Sequence, residues 1–286
     1  MKTVSGLLLS SALVLPAVLP AAALHAQSAD QSIEVQTAHN ILDVGLFSHD
    51  PSTRVEAISA TGMIGKSETV RKQIEGFLSD KDANVRIAAT ETLADLNMKA
   101  SLPALENTLD NDEVPEVQFA AAKALYRMHD PKGKQALEDI LSGKIKTKSS
   151  LLNKEKRRVI SSFSSVHGAS IFLLSTAGGL VPVPGAGMGL GAVAHLLNDS
   201  ALSPRAIALL LIARERSPEN DELLRTSLGD KDWTVRATAA LLIALTARRD
   251  MRNDLIPLLD DNNQKVRFRA AGAYLHLTPE GEKQAP

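Results

Sequence analysis

The chain has 286 residues, with 32 Lys and Arg against 33 Asp and Glu, and it contains no Cys. This near balance gives no general attraction to nucleic acid or to an anionic membrane, and the absence of Cys excludes disulfides, thiol catalysis and cysteine zinc sites. Aromatic residues make up only 3% of the chain. Since Ala and Leu supply much of the apolar content, we expect a core of closely packed helices.

Residues 1–26 have the plan of a secretory signal peptide. Lys2 precedes an apolar run over residues 7–19, and small residues lead up to Ala26. The run is too short, and too often interrupted by Pro, for a convincing membrane anchor. We therefore expect export across an inner membrane, cleavage after Ala26 or Ala23, and a periplasmic or cell-envelope location.

A motif of about thirty residues recurs through most of the chain: an acid, a polar turn, Val-Arg, and a run rich in Ala and Leu. It is clearest in DKDANVRIAATETLADL from Asp80, DKDWTVRATAALLIAL from Asp230 and DDNNQKVRFRAAGAYLHL from Asp260. The acids stand at positions 50, 80, 112, 199, 230 and 261, which are 30, 32, 87, 31 and 31 residues apart. A second apolar stretch precedes each acid. Each unit is thus predicted to be two short helices, with the acid in a loop where it caps the next helix.

The distance from the acid to the Arg is six residues in the four clearest copies. These are Asp80/Arg86, Asp199/Arg205, Asp230/Arg236 and Asp261/Arg267. In two weaker copies, Asp50/Glu56 and Asp112/Gln118, the basic residue is replaced. The helices that follow are apolar on nearly every side, so one unit cannot bury them whereas a stack of units can.

This pattern resembles the HEAT-repeat family, in particular the short HEAT-like repeats also found in phycobilisome lyases. The acid-to-Arg spacing and the L-x-x-L-L-x-D runs carry the resemblance over most of residues 38–278, with a gap between about 149 and 198. The resemblance implies an all-α solenoid in which the Asp and Arg of successive repeats form a hydrogen-bonded ladder. By resemblance, that structural role is assigned to Asp80, Arg86, Asp199, Arg205, Asp230, Arg236, Asp261 and Arg267. The substitutions at Glu56 and Gln118 put the ladder in doubt at the N-terminal end.

The gap contains an apolar segment, GGLVPVPGAGMGLGAVAHLL, over residues 178–197. Its arms on either side of the Pro-Val-Pro bend, 169–181 and 185–197, would each form about 20 Å of helix, short of a hydrocarbon core of about 30 Å. We expect an inserted helical hairpin that packs on the solenoid. The alternative is a hairpin that faces a membrane or a partner.

A basic block precedes this segment, with no interleaved aromatic residues that would favour nucleic-acid stacking. A solvated surface is the ordinary interpretation of such a run, and an anionic docking patch is the alternative. The residues of the block are Lys144, Lys146, Lys148, Lys154, Lys156, Arg157 and Arg158.

Motifs for catalysis are missing from the sequence. The 7 His form neither an H-x-x-x-H nor an H-E-x-x-H pair, and no G-x-S-x-G nucleophile elbow occurs. We therefore expect no enzyme activity, no cofactor and no metal. The predicted function is a protein-binding adaptor or scaffold, in which the second helices of successive repeats line a concave surface. A solenoid docked on a membrane surface is the alternative, and a lyase-like enzyme is a more distant one.

The sequence divides into six predicted segments. They are the signal peptide at 1–26, a loose lead-in at 27–37, N-terminal repeats at 38–148, the basic segment and insertion at 149–198, C-terminal repeats at 199–278, and a tail at 279–286.

Overall fold

The computed structural model describes residues 21–142, 202–213 and 215–279, with side chains from residue 33 onward. All regular elements within these ranges are helical. In chain order they are α1 (Ala21–Leu46), α2 (Pro51–Gly62), α3 (Glu68–Gly76) with a 3-10 turn at Phe77–Ser79, α4 (Ala83–Leu96), a 3-10 turn at Lys99–Ser101, α5 (Leu102–Asn111), α6 (Pro115–Arg127), α7 (Pro131–Leu141), α8 (Pro204–Ile212), α9 (Pro218–Leu228), α10 (Trp233–Leu245), the 3-10 helix Arg249–Asp260 and α11 (Gln264–Leu277).

The helices form two layers, as a stack of two-helix units requires. We call α1, α3, α5, α7, α9 and the 3-10 helix 249–260 the A helices, and α2, α4, α6, α8, α10 and α11 the B helices. Neighbouring B helices pack side by side, and each A helix packs on a B helix. In α10 every residue from Ala237 to Ala244 is buried, because this helix has apolar or small side chains on all its faces. The prediction of an all-α solenoid is confirmed.

Five of the B helices start with a side-chain cap. The capping residues have extended backbones, and their side chains accept hydrogen bonds from amides in the first helical turn; they are Asp50, Asp82, Ser203, Asp232 and Asn263. In three of these repeats the cap lies two residues after the acid that the sequence motif singled out. The carboxylate of that acid instead accepts a hydrogen bond from the backbone amide of the capping residue. For example, the Asp82 N–H donates to Asp80 at 2.8 Å.

The order of the repeats in space differs from their order along the chain. The B helices neighbour one another in the order α8, α10, α11, α2, α4 and α6. The last repeat of the described chain thus packs on the first, because α11 contacts both α1 and α2. Residues 143–201, which the described ranges leave out, connect the two halves along the chain.

The expected lead-in at 27–37 is wrong, since these residues belong to α1, which begins at Ala21. The physical reason is a stripe of apolar residues spaced three and four apart, which faces the neighbouring helices. Its members Val35, Ala38, Leu42 and Leu46 are all buried. The predicted end of the N-terminal repeats at 148, the predicted insertion 149–198 and all of the predicted tail 279–286 except residue 279 lie outside the described residues.

Candidate protein-interaction surface

Arginines of the B helices link consecutive repeats by paired hydrogen bonds to aspartates. Arg86 donates from Nε and Nη2 to the two carboxylate oxygens of Asp112, at 2.7 and 3.0 Å. Arg236 makes the same pair of bonds to Asp261, at 2.6 and 2.8 Å. Arg205 donates from both terminal nitrogens to Asp230. Such two-bond pairs fix the orientation of one helix relative to the next loop.

Arg86, Arg236 and Arg267 also hold the loop that precedes their own helix. Nη1 of Arg86 donates to the carbonyl of Asp80 at 2.8 Å, and that of Arg267 to the carbonyl of Asp261 at 2.5 Å. Gln118 makes the equivalent bond to the carbonyl of Asp112 at 2.7 Å. Gln therefore preserves the loop contact of its own repeat, although it lacks the charge and the second donor group of Arg.

The sequence motif misaligned the first repeat. Arg54, not Glu56, occupies the ladder position, and it donates to Asp80 at 2.9 and 2.7 Å. The expectation that the basic residue is lost from this copy is therefore wrong. Asp50 is the N-cap of α2, and Arg54 follows it by four residues. Arg86 likewise follows Asp82, the N-cap of α4, by four residues, so the ladder Arg is identified by its distance from the cap.

Three of the ladder carboxylates, Asp80, Asp230 and Asp261, are stabilised in their ionised form. Burial opposes ionisation of Asp80, but hydrogen bonds from Arg54 and from the amide of Asp82 outweigh it and lower the pKa of this carboxyl. Asp261 has a lowered pKa for the same reasons, with Arg236 as the partner. At Asp230 the hydrogen bond from Arg205 is the main cause of the lowered pKa. Asp199 lies outside the described residues.

A buried arginine that sequence reasoning missed holds the C-terminal repeats together. Arg248 follows α10, and its side chain is fully buried. Its Nε donates to Asp221 at 2.6 Å, and its Nη2 donates to the carbonyls of Glu215 at 2.9 Å and Ala213 at 3.3 Å. This one guanidinium joins the end of α8, the start of α9 and the end of α10. Its only sequence signal is that it is the first charged residue after an apolar helix, at the start of an Arg-Arg-Asp run.

One face of α6 combines aromatic and charged side chains at helical spacing. Phe119, Lys123 and Tyr126 follow one another at four and three residues, and we call them the α6 stripe. Lys123 Nζ lies 5.3 Å from the centroid of the Phe119 ring and 3.8 Å from Oε1 of Glu91 on α4. Tyr126 is 55% exposed. Next to it, Arg127 pairs with Asp95 of α4.

A groove of about 400 Å³ adjoins the stripe, between α5, α6 and α7. Leu109, Phe119 and Ile140 supply apolar walls, while Gln118 and Gln135 supply amide groups. Phe119 belongs to both the groove and the stripe, so the two form one continuous surface. Aromatic anchors beside a pocket with a few polar groups are the features that concentrate binding energy in protein interfaces.

The described residues provide neither a metal site nor a helix that could span a membrane. Among residues 33–142, 202–213 and 215–279, no group of three or more His, Asp or Glu is arranged to hold a metal ion. The helices described here include none that is both long and apolar enough to cross a bilayer. The basic block Lys144–Arg158 and the apolar segment 169–197 fall outside the described ranges, so both remain predictions.

Comparison with known proteins places this geometry in a family. The family model for HEAT repeats matches residues 35–124 and 71–145. No curated protein sequence matches the chain. The C-terminal repeats lie beyond the matched residues, but they contain the same Arg–Asp pairs, at Arg205–Asp230 and Arg236–Asp261. HEAT repeats are helical scaffolds that generally mediate protein–protein interaction and are typically non-catalytic. The match over residues 35–145 supports the HEAT-repeat assignment that the sequence pattern suggested.

Proposed function

We propose that this protein is an exported, non-enzymatic adaptor that binds another protein through its B-helix surface, centred on the α6 stripe and the adjoining groove. The observation that carries the proposal is the stripe itself. Aromatic residues make up only 3% of the chain, yet α6 places the exposed Tyr126 and the half-buried Phe119 on one face.

The surroundings of the stripe favour a protein ligand. The stack behind α6 is fixed by the Arg86–Asp112 pair, so the stripe is held in place before binding and loses little entropy on contact. The side chain of Lys123 is 39% exposed, and its ammonium group forms a long ion pair with Glu91 at 3.8 Å. The ammonium group has three N–H donors, so it can also bind an acidic group of a partner. An extended or helical segment with an apolar anchor and a nearby carboxylate fits this arrangement.

Site-specific photocrosslinking tests the proposal in the full chain. A photoreactive phenylalanine analogue replaces Tyr126 in one variant and Phe47 in the other. Phe47 is the matched control, because it is also an exposed aromatic residue, at 78%, and lies at the end of α1. We expect one defined protein adduct from position 126 and none from position 47. Equal labelling at both positions, or none at 126, would refute binding through the stripe.

Export rests on residues 1–26 and is tested separately. The full chain and a version that begins at Gln27 are expressed in a bacterium with two membranes, and their distribution between cytoplasm and periplasm is compared. We expect only the full chain in the periplasm, shortened at Ala23 or Ala26. An unprocessed full chain in the cytoplasm would contradict the proposal.

Docking on a membrane surface is the second candidate, and the sequence of the basic block and of residues 169–197 favours it. Flotation with anionic vesicles compares the mature chain, a version that lacks 169–197, and a version in which Lys154, Lys156, Arg157 and Arg158 are neutral. If the mature chain floats and both altered chains do not, the membrane function is supported. If the mature chain remains with the soluble fraction, it is rejected.

A further inference from the structure

The first and last repeats of the described chain make a close contact in the core. Phe268 of α11 is 2% exposed, and its ring packs on Gly45 so tightly that a Cβ at Gly45 would come within 2.5 Å of it. Gly272 lies against the carbonyl of Ala60, which a Cβ would approach to 2.4 Å. We call this contact of α11 with α1 and α2 the joint. The two surfaces of the joint are therefore complementary in shape.

The joint is held by a different ion pair from the one used at the other repeat boundaries. Glu56 of α2 is only 8% exposed. Its Oε1 lies 3.2 Å from Lys265 Nζ, and its Oε2 lies 3.6 Å from Arg269 Nη2. We call these three residues the Glu56 clasp. Arg267, which occupies the ladder position of α11, donates to the carbonyl of Asp261 in its own loop.

The joint is also different in its covalent connection. At the boundaries within each half, consecutive B helices are connected by one loop-and-A-helix segment, such as 246–263 between α10 and α11. The two halves of the chain that meet at the joint, which end at residue 142 and resume at residue 202, are connected through the 59 residues of 143–201. Fully extended, such a segment reaches about 200 Å, whereas six stacked helices span about 50 Å. A connection of this length is long enough for the C-terminal repeats of one copy to reach the joint of another copy.

We propose that the joint is an exchangeable interface, at which the C-terminal repeats of a second copy of this chain replace those of the same chain, and that the Glu56 clasp selects the surfaces that pair. Two copies then form a closed, symmetric dimer with two complete joints. In one chain the local concentration of the C-terminal repeats is high, so the monomer dominates in dilute solution. The swapped dimer becomes populated when closure within one chain is weakened.

Charge reversal on each side of the joint tests this directly in the full mature chain. The first variant is Glu56→Lys, and the second is Lys265→Glu with Arg269→Glu. Each places like charges at its own joint and opposes closure within one chain. In a swapped dimer of one copy of each, one joint brings the lysine introduced at position 56 against the two introduced glutamates. The other joint retains the unaltered Glu56 clasp, so both joints are complementary.

The mass in solution is measured by light scattering for each variant alone and for an equal mixture, both mixed directly and refolded together from denaturant. We expect a mass of two chains in the mixture, with one copy of each by native mass spectrometry. We also expect a monomer when all three substitutions are in one chain. The control pair is Lys134→Glu and Glu138→Lys, which reverses an exposed ion pair at 3.7 Å on α7 and should leave both proteins monomeric.

Two results overturn the proposal. In the first, the mixture contains only the species that the separate variants form, under both ways of mixing. In the second, Glu56→Lys alone is monomeric with unchanged thermal stability, in which case the clasp selects nothing. Loss of folding in the separate variants does not obscure the outcome, because the triple variant in one chain and the co-refolded mixture both regain helical circular dichroism if the clasp pairs as proposed.

Discussion

Helices α6 and α10 occupy the same place in their repeats, yet they differ in what they contribute. Both follow a ladder acid, and both pack on neighbouring B helices. Residues 237–244 of α10 are all buried, whereas α6 exposes Tyr126 and part of Phe119 and Lys123. The ladder residue is Arg236 in α10 and Gln118 in α6. One repeat pattern thus supplies a helix for stability in the C-terminal half and a helix with an exposed aromatic face in the N-terminal half.

A large effect should come from the buried guanidinium of the C-terminal half. Replacement of Arg248 by Met leaves Asp221 and two carbonyl groups without their shared donor. We expect a loss of about 2–4 kcal/mol in the free energy of unfolding, because the carboxylate of Asp221, which is only 18% exposed, and buried carbonyl groups lose their partner. Urea denaturation followed by circular dichroism measures it. A loss below about 1 kcal/mol would show that Arg248 is not a structural centre.

The next test compares the two B helices directly. Leu241→Ala removes a fully buried side chain of α10 and should cost about 2–5 kcal/mol, because a cavity remains. Tyr126→Ala on α6 should change the stability by less than about 0.5 kcal/mol, since its side chain is largely exposed. The same urea experiment serves both variants. Similar losses at the two positions would remove the contrast between the helices.

The ladder should give the protein a stability that depends on pH. The pKa values of Asp80 and Asp261 are lowered from 3.8 in the folded state. Their contribution is therefore complete above the unfolded value, and it is lost as the pH falls through the lower folded values. We expect a stable plateau from neutral pH to about pH 5 and a decline below about pH 4.

Asp80→Asn is the variant that isolates this contribution. It keeps the size of the side chain but removes the charge opposite Arg54, so it should cost about 1–3 kcal/mol at neutral pH and make the acid decline shallower. Urea midpoints from pH 7 to pH 3 measure both effects. An equal decline in the variant and the parent protein would assign the acid sensitivity to other carboxyl groups.

The smallest effect concerns the ends of the B helices. Ala247 follows its helix with a φ of 50°, a left-handed conformation that a Cβ disfavours, and Asn97 has the equivalent role at 47°. Ala247→Gly should raise the stability by about 0.5–1 kcal/mol, whereas Asn97→Gly should be nearly neutral because Asn tolerates this conformation. Thermal melts of both variants measure the difference. A loss of stability at Ala247 would contradict the expectation of backbone strain.

The sequence by itself determined the features that depend on neighbouring residues along the chain. Apolar residues at helical spacing, polar turns and a repeated acid predict paired helices, because these signals act within one or two turns. In the structure, the pairs Arg86–Asp112 and Arg236–Asp261 join successive repeats. Alignment by acids alone misplaced the first repeat, since Asp50 is a helix cap and Arg54 is the ladder residue.

Only the tertiary structure decided the order of the stack. A B helix that is apolar on all faces accepts any similar helix as a neighbour, so its pattern does not specify which one. The choice is made by shape and charge between residues more than 200 positions apart, as where Phe268 meets Gly45 and Lys265 meets Glu56. The same holds for the α6 stripe, whose exposure depends on which face of α6 packs on its neighbours. Local patterns build the repeats, and long-range packing arranges them.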